Sequence, residues 1–172
     1  MHVKENELSW FVVYTKPRWE KKVARILIEK GVENYCPLNK VLRNWSDRKK
    51  VVLEPLFKGY VFLRTYSDSK WDIKKIDGIL NYVYWLGKPA VVKDEEINTI
   101  RMFLREFQDV EVVENNLVAD TPVMIRQGVL MKYKGVVIEV LGSKARVKIE
   151  SMGVQLTAVF DKSNLQPLNG IV

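Results

Sequence analysis

The chain holds one cysteine, Cys36, and one histidine, His2. A lone cysteine forms no internal disulfide, and the pair falls short of the ligand set of a structural zinc site. Such cysteine usage points to a reducing compartment, and the expected location is the cytoplasm. No apolar run approaches membrane-spanning length, and residues 1–7 carry no apolar signal-peptide core. Equally absent are a Gly-rich phosphate loop ending in Lys-Ser/Thr, a Gly-x-Ser-x-Gly elbow and a histidine in the body of the chain to serve as a base. These absences predict a protein that binds rather than catalyses, with no catalytic residue, no metal and no cofactor.

What is present is basic charge in one place. Of the 172 residues, 28 are Lys or Arg and 21 are Asp or Glu. Between Lys16 and Lys50 stand 11 basic residues and 4 acids, a surplus equal to the whole net charge of +7. A surplus so confined is an electrostatic footprint, most simply for a phosphate backbone. Solvated surface is the alternative, and the count alone leaves both open.

Periodicity gives the expected elements. Trp10–Lys16 reads as a strand. A helix is expected from Pro17 to Lys30, because proline suits a first helical turn and Gly31 suits the cap that follows. Trp19, Val23, Ile26 and Leu27 fall on one side of it, while Arg18, Lys21, Lys22 and Arg25 form a basic stripe opposite. A strand is expected over Asn34–Leu42, with Pro37 at an edge or bulge, then a polar hairpin tip that carries Trp45. A helix of about ten residues is expected from Ser67 or Asp68, stopping at Gly78. Strands over Leu80–Leu86 and Ala90–Val92 lead to a helix opened by Asp94, Glu95 and Glu96, with Ile97, Ile100, Leu104 and Phe107 on one face. Acids in a first helical turn complement the dipole, a structural role.

From Glu111 to Asp120 the periodicity lapses, as in a linker. Five short strands follow, over Pro122–Ile125, Gly135–Leu141, Lys144–Ile149, Gln155–Phe160 and Leu165–Leu168. That spacing is the mark of a small β-barrel. Four glycines and the β-branched run Val136–Val140 argue against a helical state of this segment. The expected organisation is α+β: residues 8–110 as an α/β sandwich with an antiparallel sheet, 111–120 as linker, and 121–169 as the barrel.

The most informative stretch is Glu54-Pro55-Leu56-Phe57-Lys58-Gly59-Tyr60-Val61-Phe62. On an alternating strand, Tyr60 and Phe62 share one face while Val61 and Leu63 share the other. Phe57, Tyr60 and Phe62 fill a core or present a docking surface, and composition alone favours the core. Two binding roles are weighed, a protein that docks on a partner through the first domain and an RNA- or ribosome-binding module that acts through the barrel, and the charge excess in the first domain favours the former.

The order Trp10-Phe11-Val12-Val13-Tyr14-Thr15-Lys16, basic helix, aromatic strand, then Val123–Gly128 and Tyr133–Val137 resembles the NusG family of transcription elongation factors. It covers about Trp10 to Leu168, with an N-terminal NGN-like domain and a C-terminal, SH3-like KOW barrel. The Glu-Pro-Leu-Phe wording is closest to the specialised RfaH and UpxY paralogues, which are antiterminators. The resemblance implies docking on the clamp helices of the largest subunit of RNA polymerase, suppressing pausing and termination. On matching positions the docking depression is lined by Tyr14, Phe57, Tyr60 and Phe62, with Pro55 and Leu56 at its rim. It further implies contact with non-template DNA through Lys16, Arg18, Trp19, Lys22 and Arg25. A ribosomal protein or Rho is the implied partner of the barrel, and the implied state is a monomer with no membrane contact. Two details depart from the family pattern. Asp68-Ser69-Lys70 stands where the RfaH type has His-Thr-Thr for a second polymerase contact, and Gly128–Tyr133 lacks the usual Pro-Phe or Ala-Phe turn.

Overall fold

The computed structural model describes residues 7–113, 122–128, 130–131, 133–151 and 154–168. The chain divides into two compact units, one built from the chain up to Leu38 and from Phe57 to Ile97, the other from Asn39–Leu56 and from Asn98 onward. The fold is α+β, with every strand pair antiparallel in the registers observed.

In the first unit the central strand is β1 (Leu8–Thr15), and the first helix is α1 (Glu20–Glu29). Strands β2 (Glu33–Tyr35), β5 (Tyr60–Tyr66) and β6 (Ile79–Tyr82) complete the path β2-β5-β1-β6, and β9 (Val91–Val92) pairs with β1 beside β6. Between β6 and β9 projects a short hairpin, β7 (Tyr84–Trp85) and β8 (Lys88–Pro89). Side chains alternate along β1 and β5. Phe11, Val13, Val61 and Leu63 are buried with Val23 and Leu27 of α1 and with Ile73, Ile76, Ile79 and Tyr82. Each such buried aliphatic contributes about 1.5–3 kcal/mol. Register pairs Trp10 with Arg64, Val12 with Phe62 and Tyr14 with Tyr60, so these residues occupy the other face. The indole N–H of Trp10 donates to Asp94 Oδ1 at 2.8 Å, which gives a structural role to the first of the three acids expected to open the third helix.

Several boundaries differ from the sequence expectation. The first helix starts at Glu20, not Pro17. Pro17 is instead the second residue of a tight turn closed by Trp19 N–H to Lys16 O at 3.1 Å, with Arg18 at φ 64°. Proline at the second position and a positive φ at the third define a type II turn, and the chain enters the helix only beyond it. The strand expected over 34–42 is broken at Cys36-Pro37 into β2 and β3 (Leu38–Asn44), where Pro37 has no N–H for a ladder. The ten-residue second helix is a 3-10 turn, Ser67–Ser69, followed by α2 (Lys70–Lys74).

The second unit contains the hairpin of β3 and β4 (Lys49–Pro55), with Trp45 exposed at its tip. The third helix, α3 (Asp94–Glu106), buries Ile97, Ile100 and Phe103, the last a position the expected face had passed over for Leu104. Buried Asn39 uses its amide like a strand residue: Nδ2 donates to Val110 O at 2.8 Å, and Oδ1 accepts from Val110 N–H at 3.1 Å. Glu111–Val113, within the stretch read as linker, form β10; residues 114–120 lie outside the described residues. The barrel strands are β11 (Pro122–Ile125), β12 (Lys134–Leu141), β13 (Lys144–Ser151), β14 (Val154–Asp161) and β15 (Leu165–Pro167). They follow the order β10-β14-β13-β12-β11-β15, with Val123, Ile125, Ala145, Val147, Ile149, Leu156, Ala158 and Phe160 buried. Phe107 bridges helix and barrel, its ring 5.1 Å from Phe103 and 4.3 Å from Phe160. Within Gly128–Tyr133, residues 129 and 132 lie outside the described residues.

Two measurements check this packing. Phe160→Ala empties a fully buried site at the end of the aromatic stack and should cost about 3–5 kcal/mol, read from the urea midpoint. Burial, and secondarily Glu20, push the Cys36 thiol up to about 11, against a smaller opposing effect of Lys21. At about pH 8 roughly one thiol in a thousand is then thiolate, so alkylation of the native protein should run about a hundredfold slower than of the unfolded chain. Equal rates would show that Cys36 is not shielded.

Candidate docking face and cationic turn

The aromatic residues singled out from sequence come together where β1 ends and β5 begins. Phe57-Lys58-Gly59-Tyr60 is a tight turn closed by Tyr60 N–H to Phe57 O at 3.2 Å, and Gly59 takes φ 84° at its third position. Only glycine holds that conformation without cost. Beyond the turn, β5 aligns Tyr60 with Tyr14, their ring centroids 5.1 Å apart. Phe57 meets Phe62 edge-to-face at 5.7 Å, and Tyr35 stacks on Phe62 at 6.4 Å. Edge-to-face and offset contacts of this kind add about 0.5–1.5 kcal/mol each beyond burial.

These aromatics differ in accessibility. Tyr14 is 38% exposed, Phe57 and Tyr60 are half-buried, and Phe62 is only 3% exposed. Phe62 therefore supports the cluster from beneath, and the accessible surface of the cluster is Tyr14, Tyr60 and Phe57. Burial, and next the neighbouring Tyr14, push the Tyr60 phenol upward. Pro55 closes β4 and Leu56 follows it, both half-buried and both in the second unit.

A cationic turn lies at the other end of the same polar links. Lys16 Nζ is 2.9 Å from Asp77 Oδ1 and 4.7 Å from the Trp19 ring centre, and Lys22 Nζ is 3.7 Å from that ring centre. Two cations against one indole is a cation–π arrangement of about 0.5–1 kcal/mol for each exposed contact. The hydrogen bond and charge of Lys16 hold the Asp77 carboxyl below the usual carboxylate range. Gly78 is the floor for Trp19: a Cβ there would fall 2.5 Å from Trp19 Cε3 and 2.8 Å from Val23 Cγ2, and its φ is 93°. Its carbonyl accepts from Lys16 N–H at 2.8 Å. The side chains of Arg18 and Arg25 are exposed and make no hydrogen bond or ion pair among the described residues. Arg18 keeps a left-handed backbone that costs an L-residue about 1–2 kcal/mol.

The aromatic cluster and the cationic turn are joined through Gly59. Its carbonyl accepts from Thr15 N–H at 2.9 Å, and its N–H donates to Glu20 Oε1 at 2.7 Å. Sequence reasoning missed Glu20 and Asp77 altogether. Glu20 reads as an ordinary first-turn acid, and no local pattern announces that its carboxylate is buried. Among the described residues no cluster of His, Cys, Asp or Glu is arranged to hold a metal, and no helix is long and apolar enough to cross a membrane.

Comparison with known proteins agrees with this architecture. The family model described as transcription termination factor NusG matches residues 8–101. The chain is 26% identical over 152 residues to the transcription termination/antitermination protein NusG of Chlamydia trachomatis serovar D, covering 82% of this chain and 83% of that protein. It is 24% identical over 175 residues to the protein of the same description from Lactococcus lactis, covering 93% of each. A solved structure described as domain interaction in Thermotoga maritima NusG matches over 94% of this chain and 98% of that one, with a TM-score of 0.63 and 22% identity, a likeness of fold. With more than half its length matched by the family model and the predicted strands and helices in that order, the chain belongs to the NusG family of transcription termination factors.

Proposed function

We propose that the protein is a non-enzymatic transcription elongation and antitermination factor of the cytoplasm that docks on the clamp helices of RNA polymerase and suppresses pausing and termination. The observation that carries this reading is the aromatic surface of Tyr14, Phe57 and Tyr60, held on a buried Phe62 and open at its outer edge. A helical partner laid on such a surface gains most of its binding energy from a few large side chains near the centre. In this reading residues 8–110 are the docking domain and 121–169 the barrel that meets a further partner, a ribosomal protein or Rho. The specialised RfaH and UpxY type of action is part of the same proposal, motivated by the Glu54-Pro55-Leu56-Phe57 wording.

The cationic turn supplies the second contact. Lys16 and Lys22 gather around Trp19, and Arg18 and Arg25 stand free in solvent. Four cations on one turn and the first helical turns form a local positive surface of the kind that a nucleic-acid backbone meets.

Tyr60→Ala should weaken binding to purified core RNA polymerase by roughly thirtyfold, about 2 kcal/mol, with circular dichroism unchanged. A folded variant of undiminished affinity would return Tyr60 to a purely structural role. For the cationic turn, replacing Arg18, Lys22 and Arg25 together by Ala should flatten the log–log salt dependence of single-stranded DNA binding by about one unit for each phosphate that is no longer neutralised. Identical slopes for the triple variant and the unaltered protein would show that the stripe is solvated surface.

A further inference from the structure

Glu20 is a charged side chain only 5% exposed, and neither of the contacts proposed above uses it. Helix α1 does not require it there. A helix start is served by an exposed acid or a short polar cap, and burying a carboxylate with few partners is costly. The observed partner of the carboxylate lies 39 residues along the chain: Glu20 Oε1 accepts from Gly59 N–H at 2.7 Å, a short charge-assisted bond. Gly59 is the residue of greatest backbone freedom in the turn that carries Phe57 and Tyr60, and the bond closing that turn is long, at 3.2 Å. With Thr15 N–H on its carbonyl and Glu20 on its amide, both polar groups of Gly59 are fixed.

We infer that Glu20 is a positioning residue for polymerase docking: its buried carboxylate holds the Gly59 amide and so fixes how Phe57 and Tyr60 are presented. This rests on the docking reading of those aromatics. A free Gly59 would let the turn sample other conformations, and the partner would bind only the fraction that is competent. Glu20 also stands at the start of the helix that follows Arg18 and Trp19, so one carboxylate ties the docking turn to the cationic turn.

The test is a double-mutant cycle on the full chain, with Glu20→Ala, Glu20→Gln and Tyr60→Ala, alone and combined, read as affinity for purified core RNA polymerase. Glu20→Ala should weaken binding about tenfold when Tyr60 is present and little when it is absent. Glu20→Gln, which keeps an acceptor oxygen, should retain most of the affinity, and the Gly59 amide resonance should move upfield in both Glu20 variants as the charged acceptor is removed. If Glu20→Ala fails to fold, Glu20→Gln takes its place in the cycle, with a smaller effect that again disappears in the Tyr60→Ala background. Additive effects, or a Gly59 resonance that does not move, would overturn the inference while leaving docking intact. A Tyr60→Ala variant of unchanged affinity would sink the docking reading, and this inference with it.

Discussion

The first unit depends on the register between β1 and β5, seven residue pairs from Leu8 with Tyr66 to Tyr14 with Tyr60. Strand side chains alternate, so a slip of one residue would exchange the two faces. If β5 slipped against β1, Val61 and Leu63 would leave the helices, and Tyr60 and Phe62 would enter in their place. The aliphatic content of one set and the aromatic content of the other make that exchange unfavourable, because only the first packs against the narrow stripe of Val23 and Leu27. The register that forms the core therefore also sets the aromatic surface, and Tyr14 reaches Tyr60 because Val13 must reach Val61.

Polar links then refine what the register provides. The end of β1, the start of α1 and the turn before β5 converge on Gly59 and Gly78, where a side chain is disfavoured by φ at both and by contact at Gly78. Around them the backbone of Thr15 and Lys16 and the carboxylates of Glu20 and Asp77 supply hydrogen bonds that no strand ladder would. Surface pairs such as Lys16 with Asp77 add little stability on their own, and their effect is to restrict where the lysine sits beside Trp19.

Much of this is legible in the sequence, for identifiable reasons. The five barrel strands match their expected spans almost residue for residue, because alternation such as Ala145-Arg146-Val147-Lys148-Ile149 has one reading and glycines or tight turns bound it. The aromatic cluster is legible because Tyr60 and Phe62 must share a face. Its depth is not: alternation says which way Phe62 points, and nothing local says that Phe57 and Tyr35 will cover it. The start of α1 is ambiguous in sequence because Pro17 suits both a first helical turn and the second position of a type II turn, and only the positive φ of Arg18 separates these. Asn39 is unreadable for another reason. Its partner, Val110, is 71 residues away, and long-range amide pairing leaves no periodic trace.

That last pairing bears on how the chain is made as well as how it stands. The second unit is assembled from two separated pieces, so the β3–β4 hairpin is translated well before the segment that satisfies Asn39. At about 5–20 residues per second, a ribosome needs roughly 4–14 seconds to cover the intervening chain. During that interval the hairpin, with Leu42, Trp45, Val51 and Leu53 exposed even in the finished protein, is a short two-stranded ribbon of marginal stability with open edges. Its lysines and arginines, among them Lys40, Arg48, Lys49 and Lys50, are the kind of edge charges that keep a nascent strand from pairing with a neighbouring chain. Charges of this kind disfavour edge pairing by such a ribbon, whatever the folded protein later contacts.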